Sequence, residues 1–344
     1  MDTLPTIWFI LIAVLWTGYL FLEGFDLGVG MHMKLLARND RERRVLLNTI
    51  GPVWDGNEVW LLTAGGATFA AFPLWYASLF SALYIPLLVV LVALIFRAVS
   101  IEYRGKIDSD VWRNRWDWAM SLGSFVAAFG IGAALALTTT GLPINENGDR
   151  TGGAFSWFNW YAVIGGLAVV GFALIHAGLF LMLKTDGEIR YRARAFVVKF
   201  AALLLLPIVV WVLVVQFRND DLFTWPLIVL AVVAVATSWL MAKNGREQAA
   251  FLALGLFLFC GVAAIFVSAY PVVLPSTHDS AWDLTVSNAS SSDYTLKLMT
   301  IVACFGVPLV LAYQAWTYWV FRKRISTEQI PDAHPVPLAE FTPS

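Results

Sequence analysis

Two pairs of carboxylic acids lie within stretches that are otherwise apolar enough to cross a membrane. Glu23 and Asp26 are three residues apart, as are Asp55 and Glu58, so on a helix each pair projects from one face. A charged side chain at the bilayer centre costs about 2.5–3.5 kcal/mol on insertion scales, and acids retained there usually handle ions or protons. The spacing predicts one polar pocket, open to the cytoplasm, in which these acids hold and pass protons.

The same acids could instead hold neighbouring helices together by pairing with arginines. Structural ion pairs also occur inside membranes, so the spacing leaves pairing and proton transfer equally open. Asp26 and Asp55 are deeper and less obviously matched, which favours a proton role for those two. The arginines close enough in sequence to serve as partners are Arg38, Arg41, Arg43, Arg44 and Arg97.

His176 is the one histidine within a predicted span, where it could bind haem or relay a proton. A lone helix histidine is more often a hydrogen-bonded interior residue, because haem ligation also needs an axial partner and a shaped pocket. Cys260 and Cys304 lie in apolar runs outside any metal-binding pattern. We therefore predict no metal site in this chain.

Composition indicates an all-α membrane protein. Of 344 residues, 59% are hydrophobic and only 14% are charged, whereas a soluble domain carries roughly 25% charged residues. A spanning helix needs about 20 mostly apolar residues, and nine such segments form a single integral membrane domain, residues 1–344. The predicted segments are residues 6–30, 52–72, 76–100, 117–140, 158–183, 194–216, 222–242, 248–271 and 295–320.

Basic residues fix the predicted orientation. Lysine and arginine are concentrated in alternate connections, beginning with residues 31–50, 97–115 and 184–194. The positive-inside rule makes this set cytoplasmic, which places the N-terminus outside and residues 325–344 in a cytoplasmic tail. An odd number of spans, such as nine, satisfies that arrangement. The net charge of −1 is spread among loops, so we expect no nucleic-acid partner.

Five further polar residues are expected to have structural roles. Arg97, Glu102 and Asp117 lie near predicted span ends, and we expect them to reach the inner membrane surface. Gln216 and Gln314 lie within spans, where side-chain amides commonly form hydrogen bonds between helices.

Several motifs resemble subunit II of the cytochrome bd quinol oxidases. The run Trp54-Asp55-Gly56-Asn57 with its flanks is highly specific, and the likeness covers nearly the whole chain. The segments that carry it are residues 23–31, 38–44, 48–66, 112–118, 270–271 and 312–318.

The resemblance implies two four-helix bundles plus one additional helix, in a multi-pass protein of the bacterial cell membrane. It implies a heterodimer with a haem-bearing subunit I, which holds haems b and d, oxidises quinol and reduces dioxygen to water. This chain would not be catalytic alone and would bind no haem. Membrane lipid is expected around it, and a small accessory subunit is a further candidate partner.

By motif position, Asp26 and Asp55 match the functional acids of that family. Glu23, Asn57 and Glu58 become candidate relays on a proton pathway, although some members have Gln where Glu58 stands. Trp54, Gly56 and Arg97 are assigned structural roles beside the acids.

A proton-coupled secondary transporter is the alternative hypothesis. It would use the same acids as coupling sites, but such transporters typically bind their ions at broken helices near the midplane. Here the acids lie off the midplane, and the later helices lack matching polar breaks. The oxidase hypothesis is therefore favoured.

Overall fold

The computed structural model describes residues 3–330, and this part of the chain is built almost entirely of α-helices. One short antiparallel pair of strands, β1 and β2, interrupts the helices after α11. The elements are α1 (Thr3–Leu35), α2 (Asp40–Ile50), α3 (Trp54–Ala71), α4 (Pro73–Ala82), α5 (Tyr84–Tyr103), α6 (Asp110–Thr140), α7 (Trp160–Lys184), α8 (Glu188–Leu204), α9 (Leu206–Asn219), α10 (Trp225–Lys243), α11 (Glu247–Ala269), β1 (Val272–Leu274), β2 (Leu284–Thr285) and α12 (Asp293–Val320).

Eight helical segments within residues 3–330 are long and apolar enough to span a membrane, which confirms the all-α membrane class. They correspond to every predicted segment except residues 52–72. That segment forms α3, whose 18 residues extend about 27 Å but include Asp55 and Glu58, which lower its hydropathy. The count of nine spans, the two-bundle arrangement and the orientation stay predictions. Most of the predicted tail, from residue 331 onward, lies outside the described residues.

Two predicted spans, residues 76–100 and 194–216, are each broken into two helices. The breaks fall at Leu83 and Leu205. A proline follows each break within three residues. Because proline lacks an N–H and its ring clashes with the preceding turn, it interrupts the hydrogen-bond ladder there.

The connection predicted over residues 31–50 also contains helix. The first helix continues to Leu35, and α2 begins at Asp40 after an N-cap in which the Asn39 side chain accepts a hydrogen bond from the Glu42 N–H. This short amphipathic helix was missed because a sequence rich in arginine does not reach the apolar threshold of a span.

Close helix packing at the centre of the fold depends on glycine. The helix α7 is buried along most of its length and packs against α1, α6 and α8. A Cβ atom added at Gly28 would lie 2.0 Å from the Ala173 carbonyl oxygen, and one at Gly171 would lie 1.8 Å from that of Leu204. Backbones can approach this closely only where no side chain intervenes.

The last helix, α12, packs loosely against the rest of the chain and buries only Leu296. At one end, the Trp8 indole N–H donates to the Leu296 carbonyl oxygen and to the Thr300 hydroxyl. Beyond the other end, Arg324 donates at 2.6 Å to Glu247, a buried acid that also accepts from Arg190 and Arg194. The helix is thus attached mainly near its two ends.

Asp117 and Arg97 do not reach the surface, contrary to the sequence prediction. Asp117 is fully buried, because α6 begins seven residues before it and Arg104 donates to its carboxylate at 2.5 Å. Arg97 is also fully buried, between α1 and α3. The prediction was wrong for both residues because sequence hydropathy does not show that an oppositely charged side chain lies beside each of them in the interior. Glu102 is exposed, and its position at the inner membrane surface stays a prediction.

Replacing Gly171 with alanine should disrupt the packing of α7 against the end of α8. Because the obstructing atom is backbone, we expect Gly171→Ala to lower the stability of the chain by about 1–3 kcal/mol, the usual cost of overpacking. Gly306→Ala is the matched control, since nothing lies within 4 Å of an added Cβ there. Thermal unfolding of the two variants in detergent checks this, and equal midpoints would contradict the close-packing account.

Candidate functional site

Four helices bring their polar side chains together near the middle of α1. This helix contributes Glu23 and Asp26, both fully buried. Asn57 and Glu58 come from the N-terminal part of α3, and Arg97 comes from α5. From α12, Gln314 and Tyr318 reach the same place. We call the set Glu23, Asp26, Asn57, Glu58 and Arg97 the acidic recess.

Arg97 joins two of the acids. Its Nη1 donates to Glu58 Oε2 at 3.1 Å, and its Nη2 lies 2.8 Å from Glu23 Oε1, although that second contact lacks hydrogen-bond geometry. Glu23 and Arg97 are fully buried, whereas the Glu58 side chain is 20% exposed. The pairing interpretation is therefore correct for Arg97, but Glu23 and Glu58 have to share one guanidinium.

Asp26 is held by an amide rather than by a cation. The Asn57 Nδ2 group donates to Asp26 Oδ2 at 2.6 Å and to the Leu22 carbonyl oxygen at 3.3 Å. On its other side, Asn57 Oδ1 accepts from Gln314 Nε2 at 3.0 Å and from the Tyr318 hydroxyl at 2.8 Å. All four hydrogen-bonding positions of the Asn57 amide are thus used.

Asp55 lies apart from this cluster, on the exposed side of α3, so the prediction that it is one of the two deeper acids is wrong. Together with Trp54 and Glu58 it lines a cavity of about 910 Å³ whose walls are mostly apolar. The expectation that the four acids share one polar pocket is therefore only partly met. Three acids gather around Arg97 and Asn57, and Glu58 links them to the cavity that contains Asp55. Gly56 is exposed beside Asp55, with open space around it.

Several buried polar atoms at the recess have no hydrogen-bond partner among the described residues. They are the Tyr19 hydroxyl, both carboxylate oxygens of Glu23, Asp26 Oδ1, and Nε and Nη2 of Arg97. Buried polar groups in proteins are nearly always hydrogen-bonded, either to protein or to ordered water. Glu23 Oε1 and Arg97 Nη2 still form an ion pair at 2.8 Å, so charge and not a complete set of hydrogen bonds holds this part of the recess together.

His176 lies inside the bundle next to α1. Its Nε2 is 2.9 Å from the Phe21 carbonyl oxygen. The ring stacks on Phe251 at 4.6 Å between centroids and on Phe172 at 5.0 Å. Because Nε2 already faces the Phe21 carbonyl oxygen and the ring is fully buried among aromatic side chains, the residues around His176 do not fit a haem. No cluster of three or more metal-binding side chains occurs within residues 3–330.

The sequence assigned no role to three residues at the recess, namely Tyr19, Trp60 and Tyr318. Trp60 Nε1 donates to Gln314 Oε1 at 2.8 Å, and the buried Tyr19 lies one helical turn before Glu23. The predicted interhelical role of Gln314 is correct, because it bonds to two residues of α3. Gln216 bonds instead to its own connection, at Asp221 and Thr224.

Comparison with known proteins gives a consistent result. Residues 4–321 match the family described as cytochrome bd terminal oxidase subunit II. The chain is 41% identical over 334 residues to "Cytochrome bd ubiquinol oxidase subunit 2" of Bacillus subtilis, covering 96% of this chain and 99% of the relative. It is 36% identical over 369 residues to "Cytochrome bd-I ubiquinol oxidase subunit 2" of Escherichia coli K12, covering 96% and 97%.

The fold also resembles a solved structure. A chain in the structure of bd oxidase from Geobacillus thermodenitrificans superimposes with a TM-score of 0.75, covering 93% of this chain and 98% of that one. The two sequences are 20% identical, so this likeness concerns the fold alone.

Removing the shared cation tests the electrostatics of the recess. We expect Arg97→Met to destabilise the chain by about 3–5 kcal/mol, because it leaves a buried carboxylate unpaired. The double variant Arg97→Met/Glu23→Gln removes both charges of the fully buried pair and should recover most of that loss. Denaturation midpoints of the two variants decide the matter, and equal losses would show that Arg97 acts through packing alone.

Proposed function

The chain belongs to the cytochrome bd terminal oxidase subunit II family, and on that premise we propose that it conducts protons from the cytoplasm to a haem-bearing subunit I that reduces dioxygen to water. Membership makes it a subunit of an oxidoreductase complex and a multi-pass protein of the bacterial plasma membrane. The proton route is the proposal, and the arrangement of the acidic recess supports it.

The single observation that carries the proposal is an imbalance of buried charge. Glu23, Asp26 and Glu58 converge where Arg97 is the only cation within hydrogen-bonding distance among the described residues. Ionising all three carboxyls at once in a low-dielectric interior is unfavourable, because one guanidinium neutralises only one of them. Such a group retains protons and can release them one at a time, as a relay must.

The proposed route begins at the exposed Asp55, which collects protons beside Glu58. Glu58 passes them inward, since its carboxylate reaches both the cavity and Arg97. From there the route continues to Glu23 and Asp26, which are fully buried and three residues apart on α1. Trp54 lines the cavity at the entrance, Gly56 leaves open space beside Asp55, and Arg97 keeps Glu23 and Glu58 close together.

Quinol oxidation and dioxygen reduction are assigned to the partner in this proposal. Oxygen reduction consumes protons, so a buried haem centre needs a supply of them from the cytoplasm. Haems b and d would be held by subunit I, since the surroundings of His176 do not accommodate a haem. The exposed apolar residues of α5, α10 and α12 fit contact with lipid, with subunit I or with a small accessory subunit.

A proton-coupled transporter working alone is not favoured. The family match and both relatives concern subunits of an oxidase.

Neutralising Asp55 tests the proposed route directly. In the assembled complex, Asp55→Asn should lower quinol-driven oxygen consumption by roughly tenfold or more, because the amide cannot hold a transferable proton. The matched control is Glu102→Gln, which neutralises an exposed carboxylate at the end of α5, away from the recess. Oxygen-electrode assays should show near-normal turnover for this control.

Haem absorbance is recorded on the same samples. Normal turnover in an assembled Asp55→Asn complex would refute the proton role. Lost haem absorbance in that variant would instead identify Asp55 as a structural residue.

A further inference from the structure

A directional chain of hydrogen bonds connects α12 to Asp26. The Trp60 indole donates to Gln314 Oε1 at 2.8 Å, Gln314 Nε2 donates to Asn57 Oδ1 at 3.0 Å, and Asn57 Nδ2 donates to Asp26 Oδ2 at 2.6 Å. The chain thus passes from α3 to α12, back to α3, and on to α1.

The direction of this chain is fixed at both ends by groups with only one possible role. An indole N–H can only donate, so the oxygen of Gln314 faces Trp60 and its NH₂ group faces Asn57. The Leu22 carbonyl can only accept, so the NH₂ group of Asn57 faces Leu22 and Asp26. Reversing either amide would set donor against donor or acceptor against acceptor.

We propose that Trp60 and Gln314 are positioning residues for Asp26, which they orient through Asn57 so that Oδ1 alone takes up and releases the transferred proton. This inference rests on the proposed proton route and deepens it. Oδ2 is occupied by the N–H of Asn57, whereas Oδ1 is buried with no hydrogen-bond partner among the described residues. Asn57 then holds the acid in place, whereas the sequence had suggested that Asn57 was itself a relay.

The charged and titratable groups around Asp26 come from its own helix and from four others. Glu23 lies on the same helix, Glu58 on α3, and Arg97 on α5. From α12, the Tyr318 hydroxyl also donates to Asn57 Oδ1, which supports the same orientation. The fourth packed helix, α7, contributes His176, whose Nε2 is engaged by the Phe21 carbonyl. The substitutions below leave all of these groups unchanged.

The experiment follows the protonation of Asp26 by infrared difference spectroscopy of the assembled complex. The signal is the carboxylic C=O band that Asp26→Asn removes. Trp60→Phe and Gln314→Leu should each move the half-point of this band to higher pH, corresponding to a roughly two- to tenfold gain in proton affinity. The shift has this sign because donors along the chain favour the carboxylate, and weakening them favours the protonated form.

A double-mutant cycle distinguishes an effect of Trp60 through Gln314 from a general loss of structure in the variants. Because Trp60 acts through Gln314, adding Trp60→Phe to Gln314→Leu should produce no further shift. Trp8→Phe is the matched control, since it also removes an indole hydrogen bond to α12, but at the far end of that helix. It should leave the band unchanged. If Gln314→Leu does not assemble, Gln314→Met replaces it in the cycle.

Three results would overturn the inference, namely an Asp26 band that is absent at every pH, one that is unmoved in Trp60→Phe, or shifts that add in the double variant. The band reports on Asp26 independently of turnover. A normal rate of oxygen consumption in Asp26→Asn would refute the proposed route while leaving a shifted band, and with it the positioning role, intact.

Discussion

The constraint on which the site depends is the sharing of Arg97 by more than one acid. Burying a guanidinium and a carboxylate costs several kcal/mol of desolvation free energy per ion, and only close pairing of the two ions offsets that cost. Arg97 contacts Glu23 and Glu58, whereas Asp26 accepts a hydrogen bond from the amide of Asn57. The excess of acid distinguishes this cluster from an ordinary structural ion pair such as Arg104 with Asp117, and the proposed proton route rests on that excess.

The fold serves this cluster by holding its helices at fixed spacing. Glycines let α7 press against α1 and α8, which anchors the helix that carries Glu23 and Asp26. By contrast, α12 buries almost nothing of its own, yet its Gln314 completes the hydrogen-bonding of Asn57. Rigid packing on one side of the acids and a polar attachment on the other together define where the acids point.

Much of this architecture could be predicted from the sequence. Long apolar runs indicate the membrane-spanning helices, and the spacing within the pairs Glu23/Asp26 and Asp55/Glu58 shows that each pair shares one face of a helix. The family, too, was identifiable from the motif around Asp55. The burial of Arg97 could not be predicted, because a cation near the end of a span normally extends to the membrane surface. Only the three-dimensional position of Glu23 shows that Arg97 has a partner in the interior. Likewise, nothing local to Trp60 indicates that its indole N–H meets Gln314, which lies 254 residues away.

Proton uptake during oxygen reduction is the most direct measurement of whether the acidic recess supplies protons. The assembled complex is reduced and given a pulse of oxygen, while a pH-indicating dye on the cytoplasmic side and the haem absorbance are followed together. We expect Asp26→Asn to slow proton uptake while the first electron transfer to oxygen keeps its rate. Proton uptake at the unaltered rate in that variant would show that the acidic recess does not supply these protons.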